Sequence, residues 1–358
     1  MSARAKWKGS QSISDTDSTA LAVGFTRLQM AALFIVATVL ATAVFAQTGS
    51  NSPSSSNPTS GGVDNSLSPI AVYNGSQTFA SPNVRLRIAN GGAGQSGLIG
   101  ALGNAFVDYM VEQGTAPFQV GWYLGDTTQS LSYMALRQVD IAITYNPAAE
   151  SSSLNSGVSV ESLYGFRDHF VFVGPPSNPA NIAPSDTILD AFQKIVAAGA
   201  ATTAANPTRF LSRFDKSATN IKESEIFIAI GQVPWAYAYS TWYHQYPRFP
   251  LQAVAAAATL GEYTLTDRGT LLSSPSSVTN AIVKYICASD DESDRLLNPA
   301  HVLLNAITLD DSLAKSFMTW MNSTTGGQQV VANFKANGTL LYSQAPGFNG
   351  ASAGGCDF

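Results

Sequence analysis

The sequence predicts an α/β protein built on an open, mostly parallel sheet with helices on both faces, organised in lobes. Three observations carry this expectation. Strand-like and helix-like hydrophobic patterns alternate between residues 84 and 144, a rhythm typical of parallel strands joined by helical crossovers. The loops of this stretch are rich in glycine and hydroxyl residues, and in such sheets the loops at the carboxyl ends of strands receive ligands. A very apolar strand at His169–Val173 then runs into Gly174-Pro175-Pro176-Ser177-Asn178-Pro179, a stiff connection suited to crossing between lobes.

Ordered structure is expected to start near Val84, where Val84-Arg85-Leu86-Arg87-Ile88 alternates as a strand does. The glycine-rich turn Asn90–Gly97 follows, then a helix over 98–111 with Leu98, Leu102, Phe106, Tyr109 and Met110 on its apolar face. Next come a strand at Phe118–Leu124, a polar turn at Gly125–Ser130, a helix to Leu136 and a strand at Val139–Thr144. Beyond the crossing, Thr187–Ala198 reads as a helix, Arg209–Ser212 as a short strand and Glu223–Ile230 as a helix. The aromatics of Trp235–Phe249 read as packing residues. Leu251–Leu260 is an alanine-rich helix, and Thr308–Met321 is amphipathic, with Leu309, Leu313, Phe317, Trp320 and Met321 on one face.

The N-terminus reads as a targeting segment. Arg4, Lys6, Lys8 and Arg27 precede an apolar run from Met30 to Phe45 that ends in Val44-Phe45-Ala46, small residues at the positions a signal peptidase reads. Residues 1–46 are a signal peptide or, because the lead is long and the run sits at the lower limit for a bilayer span, a single membrane anchor. The domain is then secreted, or held outside the membrane. Residues 47–67 are Ser, Asn, Gly and Pro with almost nothing apolar, a flexible linker. Residues 344–358 are expected as a C-terminal tail.

The chain has 358 residues, enough for one large or two medium domains, and only 12% of them are charged. No cluster of Lys and Arg stands out, which argues against nucleic acid as a partner. Loss of residues 1–46 leaves 15 basic and 22 acidic residues, net −7. An anionic ligand therefore needs a locally positive pocket. Cys287 and Cys356 are the two cysteines; in a secreted chain they form one disulfide, the alternative being two free thiols. Asn74, Asn322 and Asn337 begin glycosylation sequons, which matter only in a eukaryotic secretory pathway. A monomer is expected, with no cofactor.

The most informative stretch is Ser212–Glu223, which packs hydroxyls and one arginine ahead of an apolar helical run. Asn220 and Glu223 fit a capping box. The free amides of a helix start, its dipole and a nearby guanidinium make an anion site. Gly91-Gly92-Ala93-Gly94 lacks dinucleotide-binding spacing but can present amides to an anion, the alternative being a tight strand-to-helix turn. His169, His244 and His301 show no metal spacing. Asp290, Asp291, Glu292 and Asp294 read as a solvated acidic loop, and Asp267-Arg268 as a local ion pair at a helix start. No nucleophile, base and orienting group assemble, so catalysis is not expected.

Longer blocks resemble a known family. Phe210–Thr219 (FLSRFDKSAT) resembles the F-I/V-S-R-G-D-x-S-G-T segment of tungstate-binding proteins, members of the type II periplasmic-binding-protein superfamily that serve ABC importers. Tyr263–Thr270 (YTLTDRGT) resembles the same family's Y-T-L-x-D-R-G-T block, and Asp140–Glu150, Phe170–Pro175 and Leu297–Pro299 fall in the family order. The resemblance covers roughly 84–343. It implies a two-lobed fold spanning 68–350, with one lobe about 84–174 plus 272–343 and the other about 175–271. A hinge would close the lobes over a small oxyanion such as tungstate or molybdate. Carried over, Arg213 is the oxyanion's charged partner. Ser212, Ser217 and Thr219 supply hydroxyls or helix-start amides, and Thr127 or Thr128 contributes from the other lobe. Where the family's first loop has T-T-T-S, this chain has Ala89-Asn90-Gly91-Gly92, with Ser96 kept just beyond; Phe214 replaces the glycine after the arginine. These departures, with the aromatics Trp122, Tyr123, Phe214 and Trp235, keep open a different solute, such as a carboxylate, phosphate ester or sugar. An extracellular enzyme on the same scaffold is the third reading.

Overall fold

A computed structural model describes residues 62–201, 208–236 and 240–358. The apolar run at Met30–Phe45 and residues 47–61 of the expected linker lie outside the described residues. Residues 62–67 are docked rather than linker-like. Arg87 is buried beside Asp140, and its Nη1 donates to the Asp64 carbonyl at 2.9 Å. The Asp64 amide in turn donates to the Arg137 carbonyl at 3.0 Å. A buried guanidinium requires acceptors on every side, and this segment supplies one.

The chain opens with β1 (Ala71–Tyr73), β2 (Val84–Asn90), the short α1 (Gly92–Gln95), α2 (Leu98–Glu112), β3 (Gln119–Leu124), α3 (Thr127–Ala135), β4 (Ile141–Thr144) and α4 (Pro147–Asn155). Order therefore begins ahead of Val84: β1 adds antiparallel to β3, and three residues are too few to show a period. β2 lies parallel between β3 and β4. The long β5 (Ser159–Gly174) comes next. The apolar run predicted only its His169–Val173 end; the earlier half, with Glu161, Gly165, Arg167 and Asp168, is held as strand by pairing rather than by pattern.

The second lobe holds α5 (Ile188–Ala200), β6 (Phe210–Ser212), α6 (Ala218–Ala229), β7 (Tyr243–Gln245), α7 (Pro250–Leu260), β8 (Tyr263–Asp267), α8 (Arg268–Ser273), α9 (Ser276–Thr279) and β9 (Val283–Cys287). The chain returns as β10 (Leu297–Asn305), α10 (Asp311–Met321), α11 (Gly327–Asn333) and the small strands β11 (Lys335–Ala336), β12 (Thr339–Leu340) and β13 (Ser343–Gln344). β5 serves both lobes. Its first part pairs antiparallel with β10, which also pairs with β4; its last part pairs antiparallel with β8 and β9. The sheet is thus mixed: β2 runs parallel to β3 and β4 in one lobe and β6 parallel to β7 and β8 in the other, while β1 and every pair made by β5 and β10 are antiparallel. Because β9 pairs with Val171–Gly174, the second lobe runs on to Cys287, past the expected boundary at residue 271.

Each lobe buries its own core. Leu86, Ile88, Leu102, Phe106, Val302, Phe317 and Trp320 fill the first, where Phe106 packs edge-on against Phe317 at 5.1 Å between ring centres. Phe172, Phe192, Phe210, Phe227 and Tyr263 fill the second. Trp122 and Tyr123 are 7% and 5% exposed, so they are core residues and not ligand-facing aromatics. The Trp122 indole N–H donates to the Asn90 carbonyl at 2.9 Å, fixing the strand end that precedes the glycine turn. The C-terminal residues are fastened: Cys356 is disulfide-bonded to Cys287 with Cα atoms 5.4 Å apart, and the Phe358 ring lies between Arg268 and Lys284.

Candidate functional site

A cavity of about 360 Å³ lies between the lobes, at the carboxyl ends of β2 and β3 on one side and β6 on the other. Two helices of ordinary length open onto it. α3 is capped by Asp126, whose carboxylate accepts from the Gln129 amide at 2.8 Å while the Gln129 side chain accepts from the Asp126 amide at 3.1 Å. α6 is capped by Ser217, whose hydroxyl accepts from the Asn220 amide at 3.3 Å. The first-turn amides of both helices therefore face the cleft, with the positive ends of both dipoles.

The expected capping box at Asn220 and Glu223 is not formed. α6 starts five residues before Glu223, and Ser217 takes the cap because its hydroxyl reaches the third-residue amide. Glu223 is fully buried one turn in, where its Oε1 accepts from Ser212 Oγ and, at 2.8 Å, from Asn220 Nδ2. Burial pushes the Glu223 carboxyl up to about 8.

Of the residues singled out in the sequence, Arg213, Ser217, Thr219, Thr127, Gly91 and Gly92 line the cavity together. Arg213 and Thr127 are 3% and 5% exposed and approach from opposite lobes. The Arg213 Nη2 pairs with Asp215, but its Nε finds no partner, and neither does the Thr127 hydroxyl. Buried donors left without acceptors are costly; here two of them belong to residues that line one cavity. Ser212, Thr128 and Ser96 do not line it. The Ser212 hydroxyl is consumed beneath the loop, donating to Glu223 and accepting from the Phe214 amide and from Tyr243. Thr128 is exposed and its Oγ1 donates to the Lys216 carbonyl at 3.4 Å, a contact across the cleft mouth. Ser96 Oγ lies 2.7 Å from the Tyr342 hydroxyl, in a smaller neighbouring recess.

Sequence reading missed the floor and one wall. Asp168, Asp267, Tyr145 and Asn298 line the bottom, and Pro247–Pro250 with Arg248 forms a wall. Asp168 Oδ1 accepts from the His169 amide at 2.8 Å and Oδ2 from Asn298 Nδ2 at 3.0 Å. Burial, reinforced by the charge of Asp267, pushes Asp168 up to about 7. Burial likewise raises Asp126 and the Tyr145 phenol. Asp267 caps α8, accepting from the Thr270 amide at 2.7 Å, and does not pair with Arg268, whose Nε donates to the Leu340 carbonyl at 2.8 Å. The D-R motif signalled Asp267's place at a helix start but not its face on the cleft; Asp168 gave no signal, because only β5's passage between lobes puts it there.

The remaining motifs lie elsewhere. His169 pairs with Asp290, His244 with Glu262 and His301 with Glu150, at 2.7, 2.7 and 2.8 Å. Asp290 and Glu292 are thus engaged, the latter with Arg167 at 3.1 Å, rather than forming a wholly solvated loop. Among the described residues no group of three or more His, Cys, Asp or Glu is placed to hold a metal ion. Asn322 and Asn337 are exposed; Asn74 is half-buried, its Oδ1 accepting from Gln119 Nε2 at 2.8 Å. No described helix is long and apolar enough to cross a membrane.

Comparison with known proteins identifies the family and the fold. A profile for a PBP superfamily domain matches residues 54–325. A candidate ABC-transporter anion-binding protein of Haloferax volcanii is 30% identical over 207 residues, 57% of this chain and 56% of the relative, so the alignment spans little more than half that protein's length. The crystal structure of a periplasmic candidate metal-binding protein is 49% identical, with a TM-score of 0.72, covering 77% of this chain and 99% of that one. The tungstate-binding protein of Desulfovibrio alaskensis G20 superposes with a TM-score of 0.59 at 24% identity, covering 76% of this chain and all of that one, a likeness of fold.

Proposed function

The chain belongs to the PBP superfamily, the periplasmic-binding-protein fold, and on that premise we propose that it captures a small oxyanion of the tungstate or molybdate kind between its lobes, without catalysis. One observation carries this reading: Arg213 and Thr127 line the same cleft from opposite lobes, and each has a buried polar atom without a partner, Nε in one and Oγ1 in the other. An oxyanion would accept from both and from the first-turn amides of α3 and α6, the donor set that suits a dehydrated dianion. Binding to both lobes at once is also what favours a closed cleft. The Haloferax relative's name supports an anion as the solute class and an ABC transporter as the partner. Residence outside the cytoplasm fits the disulfide between Cys287 and Cys356.

Titration calorimetry with tungstate, molybdate, sulfate and phosphate tests the reading. Tungstate or molybdate should bind, and Arg213→Ala should abolish the heat; unchanged affinity in that variant would remove Arg213 from the site. A second reading rests on the cavity itself. About 360 Å³ is within the range of organic-ligand pockets, and its floor carries two carboxylates, Asp168 and Asp267, beside Tyr145 and Asn298. A carboxylate, phosphate ester or sugar binding where the four inorganic anions give no heat would favour it.

A further inference from the structure

The cleft is lined by Asp126, Asp168, Asp215 and Asp267. Near the mouth, Asp215 is paired with Arg213. The two carboxylates on the floor have neutral donors only. Asp168 accepts from the His169 amide and from Asn298, and Asp267 accepts from the Thr270 amide and hydroxyl. The elements packed around Asp168 present Asp267 from β8, Tyr145 beyond β4, Tyr342 from the C-terminal segment and Asn298 from β10. None of these is a cation. Among the described residues, no ion pair reaches either floor carboxylate.

An anion entering this cavity passes Asp126 and Arg248, neither of them in an ion pair among the described residues, and meets two floor carboxylates without a cationic partner, the charge of Asp267 acting on Asp168. Protonating one of them relieves both repulsions, and like charges crowded in a poorly solvated site favour that outcome. Resting on the oxyanion reading, we infer that the protein takes up its anion together with one proton, and that Asp168 carries it. Asp168 is the carboxyl shielded from solvent at 6% exposure and held between the two lobes' sheets on β5. Burial beside Asp267 already brings it to about 7. Below that value the empty cleft holds the proton in advance; above it, binding must draw the proton from solvent. Affinity should therefore be flat on the acid side and fall by about tenfold per pH unit on the alkaline side.

The experiment is calorimetric titration of sodium tungstate into the protein at pH 6.5 and at pH 8.5, each in two buffers of different ionisation enthalpy. The expected result is uptake approaching one proton per tungstate at pH 8.5, much less at pH 6.5, and weaker affinity at the higher pH. Asp168→Asn should bind at pH 8.5 without proton uptake and more tightly than the parent. Asp267→Asn, which keeps an acceptor for the Thr270 amide, should reduce the uptake. Tungstate binding with no proton exchange at pH 8.5 overturns the inference and leaves the oxyanion reading standing. A folded Asp168→Asn protein that still takes up a proton overturns the assignment to Asp168. No heat from tungstate or molybdate at either pH overturns the oxyanion reading, and this inference with it. The two-buffer measurement on the parent protein counts the proton whether or not a variant folds.

Discussion

At the scale of single residues, two residues lining the cleft, Arg213 and Thr127, each keep a buried donor unsatisfied. Thr127→Val removes the orphaned hydroxyl while holding the side chain's shape. A hydrogen bond to a charged ligand is worth about 1.5–3 kcal/mol, so tungstate affinity should fall by roughly ten- to a hundredfold. Thermal stability should hold or rise slightly, because the change also removes an unpaired buried group. Calorimetry beside a melting curve separates the two effects. Glu223 makes the opposite kind of statement. Its carboxyl is raised by burial to about 8 in the fold, above its ordinary unfolded value. Its stabilising contribution is complete below the unfolded value and is lost as pH rises through about 8. Within that window the loss runs at about 1.4 kcal/mol per pH unit. Asp168 acts in the same direction, up to about 7. Denaturant midpoints from pH 5 to 9 should fall with rising pH, and Glu223→Gln should flatten the decline.

At the scale of elements, the loop between β6 and α6 sets the site. Phe214 and Lys216 hold φ angles of 44° and 64°, left-handed values in the loop between Arg213 and Ser217, which both line the cavity. Left-handed backbone costs an L-residue about 1–2 kcal/mol, and Phe214 recovers part of that by packing edge-on against Tyr243 at 6.4 Å between ring centres. Phe214→Ala keeps the strain and loses the ring, whereas Phe214→Gly loses the ring and the strain together. Phe214→Gly should therefore be the more stable of the two by about 1 kcal/mol, which urea denaturation resolves. If Phe214→Ala were the more stable, the loop would not carry the strain its φ angle implies.

At the scale of the whole molecule, the second lobe's outer strand is tied to the end of the chain. The Cys287–Cys356 bond closes a loop of 69 residues that contains β10, α10 and α11. Loops of this size stabilise by about 2–4 kcal/mol when cross-linked. Replacing both cysteines by serine should cost about that much, and adding a reductant to the parent protein should lower its melting temperature to that of the variant. A parent protein indifferent to reductant would mean that packing of Phe358 between Arg268 and Lys284 fastens the segment without the bond.

The sequence by itself determined the lobes' repeating strand and helix order, the position of Arg213 ahead of a helix, whose cap it put at Asn220 rather than Ser217, and the family blocks at Phe210–Thr219 and Tyr263–Thr270. These are local properties, written in hydrophobic period and capping chemistry within a dozen residues. Tertiary structure alone decided which hydroxyls face the cleft. Ser212 reads like a ligand residue but spends its hydroxyl on Glu223 and Tyr243, because the strand carrying it is sealed from below. It also decided the floor. Asp168 and Asp267 stand far apart in the chain and meet only because β5 runs through both lobes and pairs with β8 in the second. Charge repulsion, burial and cleft depth arise between distant segments, and no window of sequence contains them.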